Sequence, residues 1–595
     1  MIPEKPLPCS DEFASADDYV SELLDFTTTT DIFQILCGGV HVLDFFTNEP
    51  GLFNQILPQE WQPFLLSYNT MALLDLLMRD DLDALPLADM DPAPPESFLK
   101  YIRAVRRLSL RRSFSPSSPL ETRPPPKLSR SVAVGMKPKK VHEVSHFARY
   151  VDGLAGAISS RWGKETTHFV DFGSGQNYLG RTLALPPYNR HVVAVEGREH
   201  NIDGAKGLDV LSGLASKEVV MRNKKLWLQM QADRLGTDVV KKTPSGSKPS
   251  PDAAEDFDFR PIRELEPQYN RALGKGSVSY VVGRLESGDL TEVIGRIEKE
   301  VLPEEENKEL KMMAVSIHSC GNLSHYGIRS LVMNPAIHSV AIVGCCYNLL
   351  TEKLGPPTYK FAYARPSLQA LNGRVVRESE RRDPEGFPLS ETLSGYKGHG
   401  VRMNITARMM ACQAPQNWTQ SESDDFFTRH LFRAILQKMF LDRGVISKVY
   451  HREAGDDGEE HAGESPFNTS TNPVIIGSLR KACYRSLADY VRGAVAKLTT
   501  NREYSQYSDV IREKMGDISD EEIAHYEKAY LGRKKEVAAV WSLMAFSACV
   551  VESLIVTDRW LFLKEHADVV RDCWVETVFD YKESPRNLVV VGIKK

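Results

Sequence analysis

The sequence predicts an α/β fold: a doubly wound, mostly parallel sheet with helices on both faces, finished by an antiparallel hairpin. Three observations lead there. Short apolar, β-branched runs alternate with helical stretches between Met136 and residue 354. The first of these runs leads into a glycine-rich turn, VDFGSGQN (170–177). The last residues, CWVETVFDYKESPRNLVVVGIKK, read as strand, turn through Ser584-Pro585, and strand.

The strand candidates are HFVDFG (168–173), HVVAVEG (191–197), VSYVVG (278–283), MAVSIHS (313–319) and HSVAIVG (338–344), each bounded by Gly, Asn or Pro. Near-continuous apolar runs suit strands buried on both faces. Ahead of them, residues 1–108 carry apolar side chains at helical spacing (Phe64, Leu65, Met71, Leu74, Leu77) and predict a helical domain. Residues 109–135 predict a disordered linker, because RRLSLRRSFSPSSPLETRPPPKLSR (106–130) is basic and rich in Ser and Pro. It reads as a solvated linker or as a docking arm for nucleic acid or an acidic partner. The sheet core is expected over 136–354, with a disordered polar insertion at about 236–267. A loop-rich and helical insertion follows at 355–535, where Ser519 and Glu522 form a capping box. Residues 536–595 supply the last helix and the closing hairpin.

Composition limits the rest. A chain of 595 residues is too long for one compact core. A net charge of −5 argues against a dedicated, strongly basic nucleic-acid binder but leaves room for a local basic patch. The 9 cysteines are irregularly spaced and the start, MIPEKPLPCSDEF, is not a secretory signal, so a reducing, cytoplasmic or nuclear compartment is expected. The apolar run VAAVWSLMAFSACVV (537–551) is shorter than the roughly 20 residues of a membrane span and stops at Glu552. It predicts a buried helix, and no membrane association is expected.

The glycine turn carries the first chemical signal. Asp171 closes a strand, Gly173, Gly175 and Gln176 form the turn into a helix, and Glu196 closes the next strand. Glycine allows positive φ and close approach of a ligand to the backbone. An acid about 20 residues on can accept both hydroxyls of a ribose. A dinucleotide site wants a small residue where Tyr178 stands, and Asp171 would repel a pyrophosphate. An acid there suits a cofactor bearing an ammonium group, which points to S-adenosylmethionine. The closing hairpin agrees with the class I methyltransferase (Rossmann-like) sheet. A dehydrogenase, or a glycine turn that binds nothing, are the alternatives. Lys139, Lys140, His142 and Glu143 open the preceding helix, either covering the cofactor or simply starting a charged helix.

In an open parallel sheet, ligands sit beyond the carboxyl ends of the strands. Two strands end there in IHSCGNLS (317–324) and VGCCYNLLT (343–351). His318 is the candidate general base, and Cys346 with Tyr347 would line the acceptor rim. Cys320 as a nucleophile is an alternative. A zinc set from His318, Cys320, His325, Cys345 and Cys346 is not expected. The Cys-Cys pair lacks a C-x-x-C partner, and neighbours on a strand face opposite sides.

MKPKKVHEVSHFARYVD (136–152), VDFGSGQNYLGR, IHSCGNLS, VGCCYNLLT, SACVVESLIVTDRWLFLKE (547–565) and VFDYKESPRNLVVVGIKK (578–595) occur in this order. Together they resemble the methyltransferase-like-25 group, also named for a ribosomal-RNA adenine dimethylase domain. The two strand-end signatures also resemble those of tRNA 2′-O-methyltransferases acting on the acceptor stem. Two positions depart from the group: Asn177 replaces a usual glycine, and Asn348 stands where a histidine often follows the CCY. An adenine dimethylase would carry an Asn/Asp-Pro-Pro-aromatic turn after the fourth strand. The only similar segment, LPPY (185–188), lies between the first two strands, which disfavours adenine methylation. The resemblance implies an S-adenosylmethionine-dependent methyltransferase acting chiefly by positioning. RNA is the first acceptor expected, protein the second, and a degenerate cofactor-binding scaffold the remaining alternative.

Overall fold

The computed structural model describes residues 3–79, 81–82, 90–113, 124–221, 225, 262–269, 274–300, 310–354, 383–450 and 469–595. The main-sheet strands are β1 (His168–Phe172), β2 (His191–Glu196), β3 (Ser277–Val282), β4 (Met312–Ser319), β5 (Ile337–Gly344), β6 (Val570–Thr577) and β7 (Leu588–Lys594). The helices used below are α1 (Ala16–Thr29), α2 (Glu96–Leu108), α3 (Pro138–Trp162), α4 (Tyr178–Ala184), α5 (Glu199–Ser212), α6 (Leu323–Met333), α7 (Gln420–Asp442) and α8 (Lys534–Glu565). Strand order in the 7-stranded sheet is β6-β7-β5-β4-β1-β2-β3. The five expected parallel strands and the antiparallel closing pair are all present.

The chain divides into two compact units, one of Met1–Pro124, Leu285–Ile294 and Met312–Lys595, the other of Pro125–Arg284 and Gly295–Lys311. In the second unit β1 and β2 run parallel with His168 opposite His191, and β2 and β3 run parallel with His191 opposite Ser277. Val192, Val193, Ala194 and Val195 are buried without alternation, as expected for a strand covered on both faces. α3 starts with Pro138, whose missing N–H would be unpaired there anyway, and stops at Gly163 in the left-handed conformation. Ala215–Ser216 pairs with Gln268–Tyr269, and Val219–Met221 with Ile262–Glu264, both antiparallel. These ribbons flank the polar insertion. Its residues 236–261 lie outside the described residues, while 262–264, expected to be disordered, form a strand.

In the first unit β4 and β5 are parallel, and β7 pairs antiparallel with both β5 and β6. Every residue of β5 is buried. α8 is the unit's central helix: nearly all of Val537 to Leu563 is buried, including Glu552, Asp558 and Arg559. Of the run 537–551, expected to be a core helix, every residue but Cys549 is buried. The region from Ser519 onward is helical as expected, but 3-10 geometry at Leu531–Arg533 splits it into two helices.

The N-terminal helices, expected as a domain of their own, pack within this same unit. Tyr19 of α1 donates to the Leu108 carbonyl of α2 at 2.9 Å, the Tyr101 and Ser547 hydroxyls lie 2.6 Å apart, and the Leu110 amide donates to Ser553 at 2.9 Å. The start of the expected linker is also anchored. Arg111 pairs with Asp11 at 2.6 Å, and the largely buried Arg112 pairs with Glu552 at 2.5 Å. Residues 114–123 of that linker lie outside the described residues.

Candidate functional site: a glycine turn and a thiol cluster

In the second unit, the turn after β1 takes its shape from three residues with positive φ: Gly173 (66°), Gly175 (56°) and Asn177 (51°). The first two positions suit only glycine well, and asparagine tolerates the third because its short amide tolerates the left-handed region. The amides of Gly173 and Ser174 donate to the Val195 carbonyl at 3.0 and 3.2 Å, tying the turn to β2. Glu196, 8% exposed, then accepts from the Gly175 amide at 2.9 Å and from the Arg198 amide at 3.0 Å, one on each carboxylate oxygen. Each oxygen keeps a further lone pair.

Asp171 is 4% exposed, and its carboxylate accepts none of the hydrogen bonds among the described residues. Burial pushes its pKa up to about 7; the Glu196 carboxylate adds to the rise and Lys140 opposes it. The Lys140 charge offsets only part of the burial, and no ion pair of this carboxyl forms among the described residues. The Ser174 hydroxyl is buried without a partner among the described residues. A side chain grafted at Gly175 would begin in open space, with nothing within 4 Å. An open backbone face, an unneutralised acid and an anchored acid with spare lone pairs fit a ligand carrying an ammonium and a ribose.

A buried network that sequence reasoning missed holds this turn. Asn177 donates to the Tyr280 hydroxyl at 2.9 Å, and Tyr280 donates to Asp209 at 2.6 Å. Tyr269 donates to the same carboxylate oxygen at 2.8 Å, and Arg181 reaches its other oxygen at 2.7 Å. Arg181 also donates to the Gln176 carbonyl at 3.0 Å, so the ion pair fixes the turn itself. Arg181 and Asp209 are fully buried, which is tolerable because each is multiply bonded. In sequence the partners are scattered, so no local pattern announces them.

The same unit contains His142-Glu143-x-x-His146 on α3, the residue order of a helical zinc-peptidase motif. Its rings lie 4.2 Å apart. Glu143, however, is 1% exposed and paired with Lys140 at 3.2 Å and Lys139 at 3.7 Å. No group of three or more metal-ligating side chains forms there among the described residues.

In the first unit, β4 loses regular register with β5 between Ser316 and Ser319, so half-buried His318 sits in an irregular strand end. Cys345 and Cys346 follow the end of β5 at Gly344, so strand alternation does not apply to them. Both sulfurs turn to Cys320: Sγ–Sγ distances are 3.2 Å (320–345), 3.3 Å (320–346) and 3.5 Å (345–346). The expectation that neighbouring cysteines must diverge is thereby corrected. Hydrogen bonding with Cys345 and Cys346 makes Cys320 the most acidic of the three, and the Cys345 thiol is pushed up in turn.

Tyr347, expected on the rim, is instead inside. A 3-10 turn at Tyr347–Leu349 folds it inward to 2% exposure, and its hydroxyl donates to Glu552 of α8 at 2.7 Å. Glu552 also pairs with Arg112 at 2.5 Å and Arg586 at 2.6 Å, while Arg559 and Arg586 flank the ring. Tyr347 therefore sits in the interior and not on the rim. Asn348, in the place of the group's histidine, accepts from the Cys412 thiol at 3.5 Å. His325 is fully buried, its Nδ1 facing the Glu385 carbonyl at 2.9 Å, and burial lowers its pKa to about 3.

A mostly parallel sheet closed by a reversed hairpin, with an acid-tipped glycine turn after β1, defines a class I methyltransferase fold. A family model described as "Methyltransferase domain" matches residues 139–353. The chain is 24% identical over 535 residues to the human protein named "Probable methyltransferase-like protein 25", covering 77% of this chain and 75% of that one. It is 28% identical over 284 residues to the mouse protein of the same name, covering 48% of this chain and 37% of that one. The chain is a methyltransferase, and over most of its length it is similar to the methyltransferase-like-25 proteins.

Proposed function

We propose that the chain is an S-adenosylmethionine-dependent methyltransferase with RNA as its acceptor. The observation that carries the cofactor is Asp171: a buried carboxyl without a cationic partner among the described hydrogen bonds, beside the amide-anchored Glu196. When bound, S-adenosylmethionine supplies an electrophilic methyl group on a positively charged sulfur. Asp171 would meet its ammonium, and Glu196 would meet the ribose with the lone pairs its amides leave. Gly173 and Gly175 keep the backbone approachable, and Gln176 is held by Arg181 through its carbonyl. On the acceptor side His318 is the proposed proton-accepting group, and Cys346 the residue that shapes the position of the acceptor.

RNA is supported by the strand-end resemblance to tRNA 2′-O-methyltransferases and by the basic run at 106–130. A protein acceptor is the second reading, and a specific observation favours it. Arg106 donates to the Leu77 carbonyl at 3.0 Å, Arg107 pairs with Glu22, Arg111 with Asp11 and Arg112 with Glu552, so these four arginines are committed within the protein. Calorimetry with S-adenosylmethionine tests the cofactor. Absence of binding at millimolar ligand would leave the scaffold reading. With binding established, transfer of a labelled methyl group into RNA or protein fractions, followed by mass spectrometry, separates the acceptors.

A further inference from the structure

We propose that Cys320, Cys345 and Cys346 form a zinc site, with three thiolates holding one Zn(II) and a fourth position open to water or another ligand. Two backbone hydrogen bonds build it. The Cys345 amide donates to the Ser319 carbonyl at 3.3 Å and the Gly321 amide to the Cys346 carbonyl at 3.2 Å, setting Cys320 against the cysteine pair. A glycine flanks each side of the cluster. A Cβ at Gly321, where φ is +55°, would run into the Leu349 backbone, and one at Gly344 into the Arg559 guanidinium. The chain thus gives up side chains on both strand ends to bring three sulfurs together.

The sulfur triangle has the size a zinc ion needs. With edges of 3.2, 3.3 and 3.5 Å, a point about 1.3 Å above its plane lies about 2.3 Å from all three atoms, the zinc–thiolate bond length. A small opening of the triangle gives tetrahedral angles. Thiols are weak hydrogen-bond donors and acceptors, so mutual S–H contacts alone stabilise such a cluster little. An all-sulfur set favours a soft or borderline ion such as zinc over magnesium or calcium. Cys345 is buried, whereas Cys320 and Cys346 are half-exposed, which leaves one side of the cluster accessible. Three protein ligands with one open position is the arrangement of zinc sites that bind a further ligand. Cys412, whose thiol contacts Asn348, is left outside the set.

Binding replaces S–H protons by zinc: three Zn–S bonds form, the protons pass to solvent, and no oxidation occurs. The test uses the full-length protein, reduced and equilibrated with zinc, then gel-filtered and analysed for metal. About one zinc per chain is expected, with a thiolate-to-metal charge-transfer band when cobalt(II) is substituted. Cys320→Ser and Cys346→Ser should each weaken zinc binding about a hundredfold or more, while Cys412→Ser should retain it. Because a variant can fail by misfolding, zinc should also protect Cys320 and Cys346 of the unmodified protein from alkylation in peptide mapping. The proposal is overturned if reduced protein holds no zinc at micromolar free metal, or if the Cys320 and Cys346 variants bind like the unmodified chain. A Cys320–Cys345 or Cys320–Cys346 disulfide that forms as readily with zinc as without it would likewise overturn it, in favour of a redox pair.

Discussion

The Gly175 amide donates to the Glu196 carboxylate at 2.9 Å across 21 residues of sequence. This bond joins the turn after β1 to the end of β2, so the same carboxylate both shapes the turn and faces the proposed ribose position. Replacing Glu196 should therefore affect binding and stability together. Glu196→Gln keeps the shape but weakens acceptance from both amides. Hydrogen bonds to charged groups contribute about 1.5–3 kcal/mol, so calorimetry should show S-adenosylmethionine affinity falling about tenfold to a hundredfold. Glu196→Ala should fall further and melt at lower temperature.

Asp171 predicts a pH dependence with a definite sign. Its folded pKa is raised to about 7, above the ordinary carboxylate value of 3.8, so the folded protein binds the extra proton between these values. Stability from this group is greatest below about pH 4 and is lost as pH rises towards 7, by up to roughly 4 kcal/mol. The ligand-free protein should lose part of this slope as Asp171→Asn, measured by denaturant unfolding across the window. Cofactor binding should run the opposite way. An ammonium needs the ionised carboxylate, so affinity should rise about tenfold per unit up to pH 7 and then level off. Calorimetry from pH 5.5 to 8 checks this, and Asp171→Asn should be weaker and flat.

What the sequence revealed of this molecule follows the range of its interactions. β1, β2, β4 and β5 are apolar runs with turn residues at their ends, and the turn at Gly173 and Gly175 is a local motif. All were legible. Tyr347 was misplaced because its direction is set by one 3-10 turn and by Glu552, 205 residues away. Arg112 looked like linker charge because its partner lies in α8. The Cys345–Cys346 pair misled because alternation holds only inside a strand, and β5 stops at Gly344.

Asn177 and Tyr280 offer a test of the buried network. Asn177→Gly keeps the left-handed conformation and loses only the bond to Tyr280, so its cost should be about 1 kcal/mol. Asn177→Ala adds left-handed strain of about 1–2 kcal/mol. Tyr280→Phe leaves Asn177 without its acceptor and removes one of the three donors to Asp209, and should destabilise by about 1–3 kcal/mol. Because the two residues share a bond, Asn177→Gly combined with Tyr280→Phe should cost less than the sum of the two changes. Urea unfolding of the four proteins measures this, and strict additivity would refute the coupling.

Glu552 and Tyr347 separate a structural role from a catalytic one. Burial works to raise the Glu552 carboxyl, but Arg112 and Arg586 outweigh it and leave its pKa below the ordinary value. Its contribution to stability is therefore present above the unfolded carboxylate pKa and is lost as pH falls through the depressed folded value. Glu552→Ala strands two buried guanidinium groups and should destabilise by about 3–5 kcal/mol. Glu552→Gln should recover part of that loss but abolish the acid sensitivity. Tyr347→Phe removes one hydrogen bond from the same carboxylate, a loss of about 1–2 kcal/mol. If Tyr347 is structural, the folded Tyr347→Phe protein should keep the unmodified kcat at a temperature well below its melting transition. A fall in kcat of a hundredfold without any loss of stability would instead return Tyr347 to the reaction, so the melting curve and turnover must be measured on the same preparation.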